Sequence, residues 1–538
     1  MTEAKDVIKR FNEVKRDRNQ YEGLWQEIAN ITSKIPRHFA PIQRLPGEDW
    51  TYKTFDTTAE ECLSRWVAIF AGLLTNQTDR WIKFDVFGQD AAYSTRQFFE
   101  WIEEMFLASF HNQGFYSAAN SVYEGLGLIG NGMPIIDERP YAGAPGFQGF
   151  RIADVPFEQC YFLQDGNMEV KSNYRYVKWT ADEIISYFGE SGNIPEKVTM
   201  YRGDLKRFFN CIHEVRPKYP DRTLTTYYSV WVLEAEQHVI RDEELEGNPY
   251  ISARLPRANS ETYGRSPAYK CLAAIQSLNY QAFQRDQAFG FIANPVHAYQ
   301  KSNKIQVSQV GPGAWLGMQN VSPDGLRVLE RNINPEVFRV MMQPHIDAVR
   351  RAFYTDQIEQ MMQRPEYGKA ETVKDLSGRN RLLLGPVLTS ISQTFLIPAI
   401  SRCLQLFFKV IQAHGIEIPD QIRKNGVNVE LVGPLAIAQR AARMEGYRDS
   451  IVDMSAIIKL FPDSAVVLNG EESIRFIAET NYMPTRMLNS PETVAAMKAQ
   501  EAKIKSAQNQ LAMLAQGATG VKDMAAAQKM AAETANLQ

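Results

Sequence analysis

The segment Gly125-Leu126-Gly127-Leu128-Ile129-Gly130 matches the GxGxxG pattern that many proteins use to bind dinucleotide phosphates. Such binding needs a strand before the glycines and a helix after them, so that the phosphates meet a helix N-terminus. Here the order is reversed, because a helical pattern over 116–126 precedes the glycines and a strand-like pattern over 133–137 follows them. We therefore interpret the glycines as a helix terminator and a tight turn, and we predict no cofactor.

Other signatures of catalysis and metal binding are missing from the sequence. There is no GxxxxGK[ST], HExxH or GxSxG motif, and the seven histidines are far apart. The acidic run formed by Asp242, Glu243, Glu244 and Glu246 is predicted to be a solvated loop, not a metal site. We predict no catalytic, cofactor-binding or metal-binding residues and no enzyme activity. A catalytic group assembled from distant positions is an alternative that the sequence leaves open.

Two basic residues, Arg364 and Lys369, lie in a loop-prone stretch between two predicted helices. Basic side chains on a loop can contact phosphates without reading sequence. They can equally be ordinary exposed charges. From the residues alone, both readings stay open.

Length and charge narrow the classes of function. A chain of 538 residues exceeds what one hydrophobic core usually supports, so several parts are expected. The 59 basic and 62 acidic residues give a net charge of −3, whereas tight DNA binding normally needs a basic excess. This disfavours gripping DNA as the main task but is compatible with a passage along which DNA slides.

The cysteines and the apolar segments indicate the compartment. Five scattered cysteines without CxxC spacing predict neither a disulfide framework nor a zinc site, which suits a reducing compartment. The charged N-terminus shows no signal peptide. The uncharged segment Leu382–Ser401 is too polar for a membrane span, and its apolar positions predict a buried amphipathic helix.

Periodicity predicts an α+β protein that is mainly helical. Helices are predicted over 1–35, from Thr57 to an end near 75–79, over 94–111, 115–126, 180–188, 267–293 and 335–353, and over 371–414 with interruptions at Gly385-Pro386 and Pro398. Thr57 and Glu60 have capping-box spacing. Strands are predicted over 81–87, 133–137, 159–163, 208–215 and 223–233. The tail after Pro491 is rich in alanine and has no aromatic residue.

A series of landmarks in fixed order resembles the head-to-tail connector (portal) family of short-tailed, T7-like bacteriophages. The landmarks are Asp56-Thr57-Thr58, Leu73-Leu74-Thr75, Trp81, Asn112-Gln113-Gly114-Phe115-Tyr116, Gly130-Asn131-Gly132, Tyr263-Gly264-Arg265-Ser266-Pro267, Asn294-Pro295 and Leu384-Gly385-Pro386-Val387. Each motif is weak alone, whereas their order is more specific.

The resemblance implies an elongated subunit with wing, stem, clip and crown parts, which joins other copies in a twelve-fold ring. By this analogy the wing comprises 1–176 and 296–430, the stem 177–195 and 265–295, the clip 196–264, and the crown or barrel 431–538. The loop over 355–369 is the implied tunnel loop, which places Arg364 and Lys369 at the DNA channel.

The implied function is structural. The ring occupies one capsid vertex of the virion, is assembled in the host cytoplasm, and lets double-stranded DNA pass during packaging and ejection. The implied partners are the terminase large subunit, the major capsid and scaffold proteins and a tail adaptor, with no membrane.

Two alternatives remain at this stage: another non-enzymatic phage structural protein, such as a tail adaptor or scaffold, and a soluble oligomeric enzyme. The sequence also cannot decide whether four tryptophans belong to the core or to an interface. These are Trp25, Trp66, Trp101 and Trp315.

Overall fold

A computed structural model defines the fold. It describes residues 3–33, 37–39, 54–78, 80–88, 92–138, 149–189, 192–218, 226–258, 261–300, 311–318, 326–329, 334–356, 384–432, 434–461, 467–480, 483, 487–506 and 508–509. The chain divides into two compact units. The larger comprises Met1–Lys83, Glu104–Ile418 and Val429–Glu445, and the smaller comprises Phe84–Glu103, Pro419–Asn428 and Gly446–Gln538.

Helices predominate among the described elements, which confirms the predicted α+β, mainly helical class. The helices are α1 (Ala4–Thr32), α2 (Thr58–Leu74), α3 (Tyr93–Asn112), α4 (Phe115–Leu128), α5 (Ala181–Phe188), α6 (Glu196–Thr199), α7 (Pro267–Lys270), α8 (Leu272–Ala293), α9 (Pro335–Ala352), α10 (Leu384–Ala413), α11 (Asp420–Asn425), α12 (Pro434–Leu460), α13 (Gly470–Thr480) and a further helix over 491–506.

The strands form one five-stranded sheet and several smaller ones. They are β1 (Ile82–Val86), β2 (Asn131–Gly132), β3 (Ile135–Glu138), β4 (Phe150–Ala153), β5 (Cys160–Gln164), β6 (Val170–Thr180), β7 (Phe208–Pro217), β8 (Thr226–Leu233), β9 (His238–Glu246), β10 (Ala253–Arg254), β11 (Val296–Gln300), β12 (Trp315–Met318), β13 (Leu326–Leu329) and β14 (Val427–Leu431).

The five-stranded antiparallel sheet has the order β5-β6-β7-β8-β9 and is covered on both faces. Side chains alternate across a strand, so neighbouring residues enter opposite cores. Cys211 and Trp231 pack with α5 and α6 on one face. Ile212 and Val230 pack with Val7 and the other buried residues of α1 on the opposite face. Covering both faces explains the apolar character of β7 and β8.

A buried ion pair fixes α1 to this sheet. Glu214 lies fully buried on β7, and both of its oxygens accept hydrogen bonds from Arg10, at 2.7 and 2.6 Å. Tyr174 donates to the same carboxylate at 2.8 Å. Hydrogen bonding to Glu214 raises the pKa of Arg10, so the guanidinium stays charged. A bidentate arginine is the partner that best satisfies a desolvated carboxylate.

The GxGxxG segment ends α4 and turns, as predicted, and it also forms a close backbone crossing that the sequence did not predict. Gly130 has φ +83°, and a Cβ there would lie 2.6 Å from the carbonyl oxygen of Gly264. A Cβ on Gly264 would in turn lie 2.5 Å from the oxygen of Gly130 and 2.7 Å from that of Leu255. The amide of Leu255 donates to the Gly130 oxygen at 3.0 Å. The glycines therefore let two chain segments touch and leave no room for a phosphate.

Asn131 joins the two segments of this crossing. Its side-chain oxygen accepts from the amide of Gly264 at 2.8 Å, and its side-chain nitrogen donates to the oxygen of Ile129 at 3.0 Å. The backbone of β2 pairs with β10 next to it. Because Asn131 is completely buried, these bonds replace those it would make with water.

Helix α10 differs from its prediction, because it runs through Pro386 and Pro398 without interruption. Pro386 is the third described residue of this helix. A π-helical turn at Ser392–Leu396 directly precedes Pro398 and absorbs the lost hydrogen bond. Ile391 and Phe395 are buried, which confirms the predicted amphipathic helix.

Helix α10 is also the one helix among the described residues that is long and apolar enough to cross a membrane. However, 56% of its most apolar window is buried inside the protein, as in a core helix.

Two local predictions were wrong. The side chain of Thr57 makes no capping hydrogen bond, and the amide of Thr58 instead donates to Asp56 at 3.0 Å. The acidic run is not a loop but belongs to edge strand β9, where Lys218 bonds Glu244 at 2.7 Å. Charges on an edge strand protect it from pairing with other chains.

The implied division into wing, stem and clip stays a prediction. Strand β6 crosses the boundary predicted at 176/177 and pairs with β7 from the predicted clip. The five strands therefore form one sheet across three predicted parts.

Polar contacts within the smaller unit include two clusters. The side-chain oxygen of Gln421 accepts from the amide of Ala92 and the hydroxyl of Thr95, at 3.0 and 2.9 Å. Glu471 pairs with Arg475 at 3.1 Å and with Lys498 at 2.7 Å. These exposed ion pairs contribute little to stability individually.

Arg10→Met should destabilise the protein by about 3 kcal/mol, because it leaves the buried Glu214 carboxylate without its bidentate partner. Chemical unfolding followed by circular dichroism measures the change. Arg10→Met combined with Glu214→Gln should recover part of the loss, since no buried charge then remains. Equal losses for the single and double variants would show that the pair is not coupled.

Gly264→Ala should destabilise the protein by about 2–3 kcal/mol, because the added methyl group overlaps two backbone oxygens that cannot move independently. Thermal unfolding measures the effect. Gly72→Ala is the matched control: Gly72 lies in α2 with nothing within 4 Å of its built Cβ. That substitution should stabilise by up to about 1 kcal/mol through helix propensity. Equal melting temperatures for the two variants would contradict the close crossing.

Candidate assembly surface

The crossing at Gly264 leads directly into the helices that carry the candidate site. Ser266 caps α7, its hydroxyl accepting from the amide of Tyr269 at 3.0 Å, and Pro267 occupies the first helical position. Tyr263 is buried against the ring of Trp25, with centroids 5.0 Å apart. Core packing of Tyr263 and the cap at Ser266 therefore fix the direction in which the chain enters α7 and α8. A short break at Cys271 separates the two helices, which the sequence predicted as one.

Helix α8 has apolar residues on all sides. Leu278 and Ala282 are buried, whereas Tyr280 is 64% exposed and Ile292 is also exposed. Its only charged residues, Arg285 and Asp286, pair with each other at 2.9 Å. Polar residues, mostly glutamines, lie between these apolar ones. Large apolar side chains that are exposed in the described structure are candidates for contact with another chain.

Helix α9 pairs with α8, and its first half is largely exposed. The rings of Phe289 and Phe338 meet between the two helices, with centroids 6.4 Å apart. Val340 is 63% exposed, and Val337 and Met341 beside it are more than half exposed. The second half of α9 enters the core at Val349.

The small sheet between α8 and α9 adds an exposed apolar face. Its order is β12-β11-β13, and Trp315 and Val328 both stand opposite His297 in the register. Trp315 is 61% exposed and stacks on His297 with centroids 4.6 Å apart. On the other face, Ala298 is buried. The sheet therefore turns one face to the core and one to solvent.

We call the exposed apolar residues of α8, the small sheet and α9 the hairpin surface. Its members are Tyr280, Phe289, Ile292, Tyr299, Trp315, Val328, Val337, Val340 and Met341. Large exposed apolar patches mark protein interaction sites, because their burial is favourable by about 25 cal/mol per Å². The arrangement can bind protein, and it places no nucleophile or acid–base pair for chemistry.

The predicted DNA-channel residues Arg364 and Lys369 lie outside the described residues, and so does most of the loop over 355–369. Its first two residues, Thr355 and Asp356, are described and are helical, after a turn at Phe353-Tyr354 that ends α9. Thr355 is buried, and its hydroxyl donates to the oxygen of Arg350 at 3.1 Å. Tyr354 has φ +59°, a left-handed conformation that turns the chain away from the helix.

The polar residues considered as chemical candidates have structural partners. His213 is buried, with Nδ1 2.6 Å from the Tyr250 hydroxyl and Nε2 3.0 Å from that of Ser229. Burial lowers its pKa well below the usual range, and Arg175 lowers it further. Within the described ranges, no three His, Cys, Asp or Glu residues form a group that could hold a metal ion.

The structure resolves the open question about the tryptophans. Trp25 and Trp66 are core residues, whereas Trp101 and Trp315 are exposed. Sequence reasoning did not find Tyr280 or Val340. For Val340 the available signal was the apolar i, i+4 pair of Val337 and Met341 on α9, whereas Tyr280 lies among glutamines and had no comparable signal.

Comparison with known proteins identifies the family. The model of the family described as bacteriophage head to tail connecting protein matches residues 4–488. A probable portal protein of Bordetella phage BPP-1 is 22% identical over 535 residues, covering 96% of this chain and 94% of the relative. The portal protein of Salmonella phage epsilon15 is 19% identical over 547 residues, covering 98% and 96%.

One solved structure is similar at a low level. A chain from the neck of an empty GTA particle, computed with C6 symmetry, is 11% identical with a TM-score of 0.36, over 84% of this chain and 98% of that one. The family assignment rests on the match over residues 4–488, which confirms the resemblance seen in the sequence landmarks. The chain belongs to the bacteriophage head-to-tail connecting protein family.

Proposed function

We propose that this chain is a portal subunit: copies of it form a ring at one capsid vertex, and double-stranded DNA passes through the ring during packaging and ejection. The observation that carries the proposal is the family match over residues 4–488. Two relatives named as portal proteins, aligned over almost their full lengths, support it.

The hairpin surface supports ring formation. A ring requires heterologous contacts, in which one face of a subunit meets a different face of its neighbour. Exposed apolar side chains on two helices and a sheet supply area for such contacts. We propose a twelve-fold ring, as the family resemblance implies.

The near-neutral net charge of the chain is compatible with DNA sliding through a ring. Duplex DNA carries one negative charge per about 1.7 Å, and a protein making roughly 6–10 phosphate contacts binds it firmly. With a net charge of −3, this chain has no general excess of basic residues for such a grip. We propose that Arg364 and Lys369, on the tunnel loop, provide the loose contacts with DNA in the channel.

The finer assignments follow the same resemblance. We propose the division into wing, stem, clip and crown, with docking of the terminase large subunit and later of a tail adaptor at the clip. The capsid and scaffold proteins are the proposed partners at the vertex. The proposed place of assembly is the host cytoplasm, with the finished ring in the virion.

We propose no enzyme activity. All five cysteines are free and buried, and burial raises the pKa of Cys211 to about 12. A thiol with so high a pKa is a poor nucleophile at neutral pH. This supports a structural role over the oligomeric-enzyme alternative. A tail adaptor or scaffold would share this lack of chemistry, so assembly is the property that separates them.

Purified protein should form rings with a central hole in negative-stain electron micrographs, because the hairpin surface needs a partner copy. Sedimentation velocity on the same sample should show a large species across a range of salt concentrations. Monomers alone at every salt and protein concentration would contradict the proposal, and a closed assembly without an axial hole would favour the adaptor or scaffold alternative.

Arg364→Ala combined with Lys369→Ala should leave ring assembly intact and lower the fraction of DNA-filled heads several-fold, because the proposed loop loses its phosphate contacts. Electron micrographs of virions measure the filled fraction. Arg423→Ala with Lys424→Ala, two exposed basic residues of α11, is the control and should pack normally. If both variants give the same fraction of filled heads, Arg364 and Lys369 do not contact DNA in the channel.

A further inference from the structure

Two faces of the hairpin surface differ in composition and lie on different helices. On α9, Val337, Met341 and Pro344 follow at i, i+4 and i+7 with Val340 beside them, and all four are exposed. We call these four residues the α9 flank. Phe338, which contacts α8, points about 60° or more away from them. Among the described residues, the flank therefore stays exposed while α8 and α9 are paired.

The second face lies on α8, opposite its buried side. Tyr280, Gln284 and Gln287 are exposed at i, i+4 and i+7, whereas Leu278 and Ala282 face the core. We call these three residues the α8 outer face. It has no charge, and the long glutamine side chains can keep their amides hydrogen-bonded to water at the rim of a contact centred on Tyr280.

The neighbouring charges do not oppose contact. Arg285 and Asp286 neutralise each other beside the α8 outer face. On α9, Glu336 and Arg339 are likewise bound to each other through the arginine fork. Two such helices can approach without like-charge repulsion. Neither face offers a net charge that would attract a charged partner, and the proposed ring brings a second copy of the same chain next to them.

We propose that the α9 flank of one copy packs on the α8 outer face of the next copy. The inference rests on the proposed ring and adds which faces meet. Pairing of the flank with itself would give a closed dimer and stop there. Contact between two different faces leaves one of each free at every step, so assembly continues until the ring closes.

Cysteine crosslinking tests the pairing, because the five natural cysteines are buried and do not compete. The variants are Tyr280→Cys, Val340→Cys and the double variant, each treated in the assembled state with a short bismaleimide. The double variant should give a ladder of covalent multimers well beyond the dimer on denaturing gels. Each single variant should stay monomeric on the gel, because its introduced cysteine faces a helix of the next copy that carries no second cysteine to crosslink.

A matched control uses Met200→Cys, which is 80% exposed at the end of α6. Combined with Val340→Cys, it should react with a monofunctional maleimide but give no ladder. Dimers from a single variant would overturn the heterologous pairing in favour of self-pairing. If micrographs show rings but the double variant gives no ladder, the proposed pairing of faces is wrong, whereas the proposed function is unaffected. The absence of rings in the natural protein would count against the proposed function itself.

A charge exchange keeps the test decisive if a cysteine variant assembles poorly. Val340→Glu and Tyr280→Lys should each reduce the ring fraction at least ten-fold in sedimentation velocity, and the double variant should recover most of it. Recovery is expected because the glutamate of one copy then faces the lysine of the next. Met200→Glu should assemble normally. Loss in both single variants without recovery in the double variant would contradict the pairing.

Discussion

The close crossing of Gly130 and Gly264 is the constraint on which the larger unit depends. Two backbone oxygens occupy the space that a methyl group would need, so the crossing exists only with glycine at both positions. It joins the end of α4 to the segment that opens α7 and α8, and Asn131 closes it with two hydrogen bonds. The direction of α8, and with it the hairpin surface, follows from this contact.

Much of the fold could be predicted because it is local. Apolar spacing predicted α1, α4 and α9 within a few residues, and alternation predicted β7. Strand β9 was missed because its charged residues hid the alternation, which becomes visible only when Lys218 pairs with Glu244 across the strands. The path of α10 through Pro398 was missed because a π-helical turn has no sequence signature comparable to that of a proline.

The candidate site could be predicted far less well, because exposure of an apolar residue is a tertiary property. Trp66 and Trp315 are equally apolar in the sequence, and one is fully buried while the other is exposed. The difference arises from position: Trp66 donates to the oxygen of Tyr123 inside the core, whereas Trp315 lies on the solvent face of a small sheet. The family resemblance predicted self-association, and the structure identified the exposed apolar side chains that are available for it.

Two buried charges of the larger unit have partners inside it, while several apolar groups lie at its surface. Glu214, with no exposure, is bound by Arg10, and the guanidinium of Arg18 donates to the backbone oxygens of Glu158 and Cys160. In the proposed ring, each subunit must hold its neighbours and let DNA pass, and this arrangement suits both tasks. Apolar contact strengthens association between copies, while the lack of a basic surplus lets the phosphates pass.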